Sequence, residues 1–149
     1  MSSVRLHVLG QPYPQGSIKM VPRKNGTGFA PTYPKQVWEW RAKVQQAVAD
    51  AMMADDLEPF LGPVEVHLGF EFAHLLGHFG TGRNAGKLKP SAPKHPIVAP
   101  DLDKLVRGVC DAITDAGLWK DDAQVAFIRA GKRYVTTAPG VHITIAEVP

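Results

Sequence analysis

Between Pro100 and Val125 the chain reads PDLDKLVRGVCDAITDAGLWKDDAQV, a stretch that admits few local structures. Leu102, Leu105, Val106, Val109, Ile113 and Ala116 recur at helical spacing and, at about 100° per residue, fill one arc of a helix. Pro100 restrains the residue before it, and Asp101 is a favourable cap because its carboxylate can accept a bond from an orphan N–H. Ala116-Gly117 ends the helix, glycine being the usual left-handed cap. Leu118 and Trp119 turn the chain, and Ala123 to Arg129 reads as a strand. The pattern predicts a helix that folds back through a short turn onto a strand.

The same stretch concentrates charge. Six of the fourteen carboxylates lie in these 26 residues: Asp101, Asp103, Asp111, Asp115, Asp121 and Asp122. Asp103, Arg107 and Asp111 fall four apart, along a polar edge beside the apolar arc. A strand packed back on the helix can bring Asp122 near the helix start, so that Asp101, Asp103 and Asp122 share a site. Carboxylates that close repel, and at least one tends to hold its proton. A divalent cation removes the repulsion, and carboxylate oxygens completed by water suit Mg²⁺ or Mn²⁺. Each feature also has an ordinary reading: Asp101 as a cap, Asp121-Asp122 as a turn, and Asp103, Arg107 and Asp111 as an ion ladder worth roughly 0.3 kcal/mol per pair.

The remaining charge is distributed in the opposite sense. Residues 1–38 carry five Lys or Arg and no carboxylate, and residues 73–100 carry four more, again with no carboxylate. Two basic segments beside one acidic knot fit a protein that grips phosphates and works on them with a metal. The formal net charge is only +3, so this reading rests on distribution rather than total.

The run PDLDK…DAITDAGLWKDDAQV resembles the RusA family of Holliday-junction resolvases, endodeoxyribonucleases of bacteria and phages. The family pattern is D-x-D-N, a basic residue, D-A-L, then D-D-x-Q-V. Asp101, Asp103, Asp111, Ala112, Asp121, Asp122, Gln124 and Val125 fall in register with it. The N-terminal PQGSIKMVPR and the GTGRNAGKLKPSAP loop look like phage-borne members. Lys104 stands where Asn is common, Arg107 where Lys is usual, and Ile113 where Leu is usual. Arg keeps the charge, but its planar fork is not a point-charge ammonium or a proton donor. The resemblance implies Mg²⁺-dependent hydrolysis of branched DNA, with Mn²⁺ as a possible substitute. It makes Asp101, Asp103 and Asp122 the expected metal ligands and Arg107 a phosphate-orienting group. Asp111 and Asp121 are expected to support them by hydrogen bonding. A four-way junction as substrate and a homodimer are implied as well. Two other classes compete with this reading: a DNA-binding protein that does not cut, and a nucleotide-sugar transferase suggested by D-x-D alone. The second needs a longer donor domain, and a pure binder gains nothing from carboxylates near phosphates.

At 149 residues the chain is expected to form one domain, residues 1–149. Val4 to Leu9 reads as a first strand, followed by a Pro/Gly turn and a basic stretch with Gly26 and Gly28 as hairpin or loop glycines. Lys19, Arg23 and Lys24 there are expected to contact phosphates. Pro34 to Met53 is an amphipathic helix through Val37, Trp40, Val44, Ala47, Val48, Ala51 and Met52. Arg41 and Lys43 are expected on its solvated face. Asp55, Asp56 and Glu58 read as a loop. Val64 to Phe72 alternates as a half-buried strand, with Glu65, His67 and Glu71 on its polar face. Residues 74–99 lose all hydrophobic period and form a long basic Gly/Pro-rich loop; Arg83, Lys87 and Lys89 are expected to close over DNA. His74, His78 and His95 lack metal spacing and read as polar loop residues. Two strands, Ala123 to Arg129 and Lys132 to Thr136, are expected, joined through Ala130-Gly131, with Lys132, Arg133 and Lys104 as further DNA contacts. Val141 to Glu147 alternates again. The expected architecture is α/β of the α+β type, a mixed sheet with two principal helices on it.

The single cysteine, Cys110, excludes an internal disulfide framework and reads as a small semi-buried residue. No signal peptide pattern and no membrane-length apolar run are present, so a bacterial or phage-infected cytoplasm is the expected location.

Overall fold

A computed structural model describes residues 2–149. Strand β1 (Ser3–Leu9) leads to a hairpin of β2 (Lys19–Pro22) and β3 (Phe29–Thr32), then to helix α1 (Lys35–Ala54) and strand β4 (Val64–Ala73). After a long loop come helix α2 (Leu102–Ala116), strand β5 (Val125–Val135) and strand β6 (Gly140–Glu147). The main sheet runs β1-β6-β4-β5, with β4 and β5 parallel and the other pairs antiparallel. This is the mixed sheet with two helices that the periodicity predicts.

The core lies between one sheet face and both helices. Val64, Val66, Leu68, Phe70 and Phe72 alternate along β4 and are all buried, as strand geometry requires of a single inward face. They meet Val44 and Val48 of α1, Leu105, Val109 and Ile113 of α2, and Val141, Ile143 and Ile145 of β6 in one cluster. The opposite sheet face carries neither helix. Gly117 closes α2 with φ +81°, and its N–H bonds the Thr114 carbonyl at 3.0 Å, the left-handed cap expected from the sequence. Gly26 and Gly28 also take positive φ in the β2–β3 turn.

The structure corrects two expectations. Residues 123–136 do not form two strands joined through Ala130-Gly131; β5 is one strand, pairing in parallel with β4 from Val125 to Val135. Gly131 sits opposite Gly69 in the ladder, so this glycine marks a strand interior without a side chain rather than a turn. Asp101 occupies the cap position of α2, but its carboxylate makes no capping bond. It turns instead to Lys104 Nζ, 3.2 Å away and one turn along, while its backbone carbonyl accepts from Leu105.

The loop from 74 to 99 has no strand or α-helix, yet it is bonded to itself and to β5. Gly80 N donates to Lys87 O at 2.9 Å and Lys89 N to His78 O at 2.9 Å. Tyr134 N donates to Lys94 O, and His95 Nδ1 lies 2.9 Å from Lys132 O.

Gly140 shows how closely β1 and β6 approach. A Cβ built there would lie 2.3 Å from the Val8 carbonyl oxygen, a backbone atom that cannot rotate away. Gly140→Ala is therefore expected to cost about 1–3 kcal/mol, measured by urea unfolding. An unchanged midpoint would show that the two strands part freely here.

Candidate functional site

The acidic wall is built where α2, the turn after it and the start of β5 come together. Leu118 and Trp119 are buried and pull the chain inward just past α2. Trp119 Nε1 donates to Thr114 Oγ1 at 2.6 Å, and Thr114 in turn donates to the Cys110 carbonyl. The backbone of Phe60 donates to Leu118 O at 2.8 Å, pinning the turn to the segment that leads into β4.

Gln124 then orders the aspartate pair. Its Oε1 accepts from the backbone N–H groups of Lys120 (2.9 Å) and Asp121 (3.3 Å). Its Nε2 donates to the carbonyls of Phe60 and Gly62, both at 3.0 Å. Asp121 Oδ1 accepts from Ala123 N at 2.9 Å, completing a reciprocal cap over one 3₁₀ turn, Asp122–Gln124. A glutamine two residues after the pair is thus required by backbone satisfaction. Gln124→Ala leaves four backbone groups without that partner and is expected to cost about 1–3 kcal/mol. Amide exchange at residues 120–124 should accelerate; exchange as slow as in the wild type would mean that the turn stands without Gln124.

The electrostatics of the wall are those of crowded carboxylates. Asp122 is pushed above the usual carboxylate range by its hydrogen bond to Asp121, by burial, and by the negative charges of Asp121 and Asp111. Asp121 is held below that range by the Ala123 N–H and by the Asp122 proton. Cys110 lies beneath them, and burial with the charges of Asp122 and Asp111 pushes its thiol up to about 12, which leaves it inert at neutral pH.

Asp111 is oriented from the other side. Gln15, only 2% exposed, donates through Nε2 to Asp111 Oδ2 and accepts from Arg41 Nη1 at 3.4 Å. Its backbone N–H donates to the Lys104 carbonyl at 3.0 Å. The segment leading to the basic β2–β3 hairpin therefore lies along α2. Arg41, expected on the solvated face of α1, pairs instead with Asp115 at 2.5 Å and sits over the Trp38 ring. Gln15 was not singled out by the sequence reading, because a lone glutamine carries no periodic or charge signal.

The predicted residues are distributed as follows. Asp101, Asp103 and Arg107 are exposed along α2, Asp111 is half-buried two turns beyond Asp103, and Asp121 and Asp122 are exposed in the following turn. The negative charge felt by Asp122 from α2 is that of Asp111. Among the described residues, the trio of metal-ligating side chains with donor atoms all within 4.8 Å of one another is His7, Glu71 and His142, on the other sheet face, rather than Asp101, Asp103 and Asp122. Of the expected phosphate contacts, Lys19, Arg23, Lys24, Arg83 and Lys87 are exposed. The others hold partners within the chain. Lys104 pairs with Asp101, and Lys89 Nζ bonds the Gly77 carbonyl. Lys132 Nζ donates to the Val98 and Pro100 carbonyls at 2.9 and 3.0 Å, fastening the loop at the start of α2. Arg133 pairs with Glu71. His74 and His78 pack against Tyr134.

The donor set of the acidic wall fits a hard divalent cation. It offers carboxylate oxygens, and the charges of Asp121 and Asp111 crowd Asp122, a repulsion that a cation would relieve. No helix among the described residues is long and apolar enough to cross a membrane.

Comparison with known proteins gives concordant matches. The family model described as endodeoxyribonuclease RusA matches residues 10–146. The crossover junction endodeoxyribonuclease RusA of Escherichia coli strain K12 is 46% identical over 48 residues, covering 32% of this chain and 40% of that protein. The protein of the same name from Enterobacteria phage 82 matches with the same identity and coverage. A Bacillus subtilis protein, the uncharacterized protein YqaN, is 38% identical over 68 residues, 44% of this chain and 46% of that one. The matched stretch thus spans less than half the length of each of these relatives.

Proposed function

Because this chain belongs to the RusA endodeoxyribonuclease family, we propose that it is a metal-dependent nuclease that resolves four-way or other branched DNA by phosphodiester hydrolysis. The observation that carries this reading is the carboxylate wall at the α2–β5 junction, where Asp121 and Asp111 place negative charge against Asp122. Asp101, Asp103 and Asp122 are the proposed ligands of Mg²⁺, with Mn²⁺ as a substitute. When bound, the ion supplies an activated water and charge stabilisation at the scissile phosphate.

The chain's own residues do the rest. Asp111, held by Gln15, keeps negative charge facing Asp122 and disfavours the empty, fully ionised wall. Gln124 fixes the backbone of the Asp121–Asp122 turn, so that the ligand arrives with little ordering cost. Arg107, exposed on α2 between Asp103 and Asp111, orients a phosphate by its planar fork. Lys19, Arg23, Lys24, Arg83 and Lys87 hold the DNA backbone, a mode that reads shape rather than base sequence. A junction with two-fold symmetry needs two cuts, and a symmetric homodimer supplies two sites. The proposed setting is the cytoplasm of a bacterial cell or of a phage-infected host.

The test is a labelled synthetic four-way junction incubated with the protein in Mg²⁺ and in EDTA, beside a linear duplex of the same sequence. Paired cuts in the junction that require Mg²⁺ are expected. Tight junction binding without cleavage in Mg²⁺ or Mn²⁺ would leave a DNA-binding protein on a nuclease frame and sink the proposal.

A further inference from the structure

Four polar side chains line up across the sheet face that carries no helix. His7 of β1 stands directly opposite His142 of β6. Glu71 of β4 lies one pleat along, opposite Gly140 of β6, and faces Arg133 of β5. Side chains alternate along a strand, so Glu71 points away from Phe70 and Phe72 and from the core. It is nevertheless only 3% exposed. Its neighbours roof it. His142 Nε2 and His7 Nε2 approach the same oxygen, Oε1, at 2.8 and 3.3 Å. Arg133 donates from Nε and Nη2 to Oε2 at 3.1 and 2.7 Å. The two imidazoles stack with centroids 3.8 Å apart and planes 12° apart. A Cβ at Gly140 would stand 3.2 Å from His7 Nε2, so glycine leaves that ring its place.

We propose that His7, Glu71 and His142 form a second cation site, separate from the acidic wall, that takes Zn²⁺ or a similar borderline transition ion. Zinc bonds of about 2.0–2.1 Å in a tetrahedral shell set neighbouring ligands about 3.3–3.4 Å apart. The His7–Glu71 separation already has this value, the His142–Glu71 separation needs to open by about half an ångström, and the two stacked, exposed rings must swing out of parallel so that both Nε2 lone pairs meet at one ion. Arg133 occupies Oε2, so Glu71 offers one oxygen and is held in orientation, as ligating carboxylates commonly are. Two nitrogens and one oxygen suit zinc better than magnesium, which prefers oxygen ligands. A groove of about 440 Å³ over Gly69 and Gly131 opens beside His142, and the exposure of both imidazoles leaves a fourth position open to solvent. The ion would tie together β1, β6 and β4, three neighbouring strands of the sheet.

The test uses untagged, chelator-treated protein at pH 7.5, with Co²⁺ as a visible probe and Zn²⁺ titrated by calorimetry. In the presence of excess Mg²⁺, which holds the acidic wall, one ion per chain, a tetrahedral Co²⁺ absorption band and its displacement by Zn²⁺ are expected. At free Zn²⁺ of about 100 times Kd, Tm should rise by on the order of 5 °C. His142→Gln and His7→Gln should each weaken Zn²⁺ binding by about 100-fold or more, since each removes a ligand outright, and Asp103→Asn should not alter it. Both histidines are exposed, and circular dichroism of the variants checks that they fold. No Co²⁺ band and no Zn²⁺ heat in the wild type would overturn the proposal. So would undiminished binding in both histidine variants, or loss of binding in Asp103→Asn, which would put the ion on the acidic wall. None of these readouts depends on DNA cleavage, so the inference stands or falls apart from the proposed nuclease activity.

Discussion

Asp103→Asn is expected to bind a four-way junction as the wild type does and to lose Mg²⁺-dependent cleavage by about 10³-fold or more. The substitution keeps size and shape and removes one negative charge from an exposed position in the first turn of α2. Its cost to stability is confined to a lost helix-dipole interaction of about 0.3–1 kcal/mol, so the fold and the basic segments persist. A proposed metal ligand is lost, and with it the charge stabilisation that a bound ion contributes at the phosphate. Asp115→Asn is the matched control. It removes a carboxylate from the same helix, but one paired with Arg41 and away from the proposed ligands. Cleavage by Asp115→Asn should stay within about two-fold of the wild type, because surface pairs contribute little. Cleavage that survives in Asp103→Asn, or that falls equally in both variants, would mean that α2 acts through its overall charge and not through a ligand at Asp103.

Trp119→Ala should be the most damaging single change to stability, costing about 3–5 kcal/mol in urea unfolding. Trp119 is 1% exposed and belongs to the main core cluster. Its removal leaves a cavity between the end of α2 and the strand entrance at Phe60, with which it forms a β-bridge. It also frees Thr114 Oγ1 from its indole donor. Trp119→Phe retains most of the ring and loses that hydrogen bond, so it separates packing from hydrogen bonding. It should cost only about 1–2 kcal/mol. Equal losses in the two variants would assign the stability to the hydrogen bond and not to the ring. Because Trp119 anchors the turn that carries Asp121 and Asp122, Trp119→Ala should also loosen the acidic wall at temperatures where the rest of the chain is still folded.

Most of the fold was legible along the chain, because its signals are local. The apolar arcs of α1 and α2, the alternation of β4 and the left-handed cap at Gly117 depend on residues within one or two turns or pleats of each other. Gly131 misled for a related reason. A glycine in a strand and a glycine in a turn look alike until the partner strand, here β4 with Gly69 opposite, is known. Asp101 misled because capping competes with an ion pair to Lys104 at similar reach, and sequence cannot rank the two.

The sequence by itself determined which carboxylates are candidates, since Asp101, Asp103, Asp111, Asp121 and Asp122 announce themselves by type and spacing. Only the tertiary structure decided how those charges meet. It couples Asp122 to Asp121 and Asp111, places Gln15 against Asp111, and makes Gln124 a clasp for the turn. It alone also gathers His7, Glu71, Arg133 and His142, which come from four strands. The reason is physical: a carboxylate's environment is set by whatever the sheet brings within a few ångströms of it. Strand order and register, which no local pattern encodes, select those neighbours.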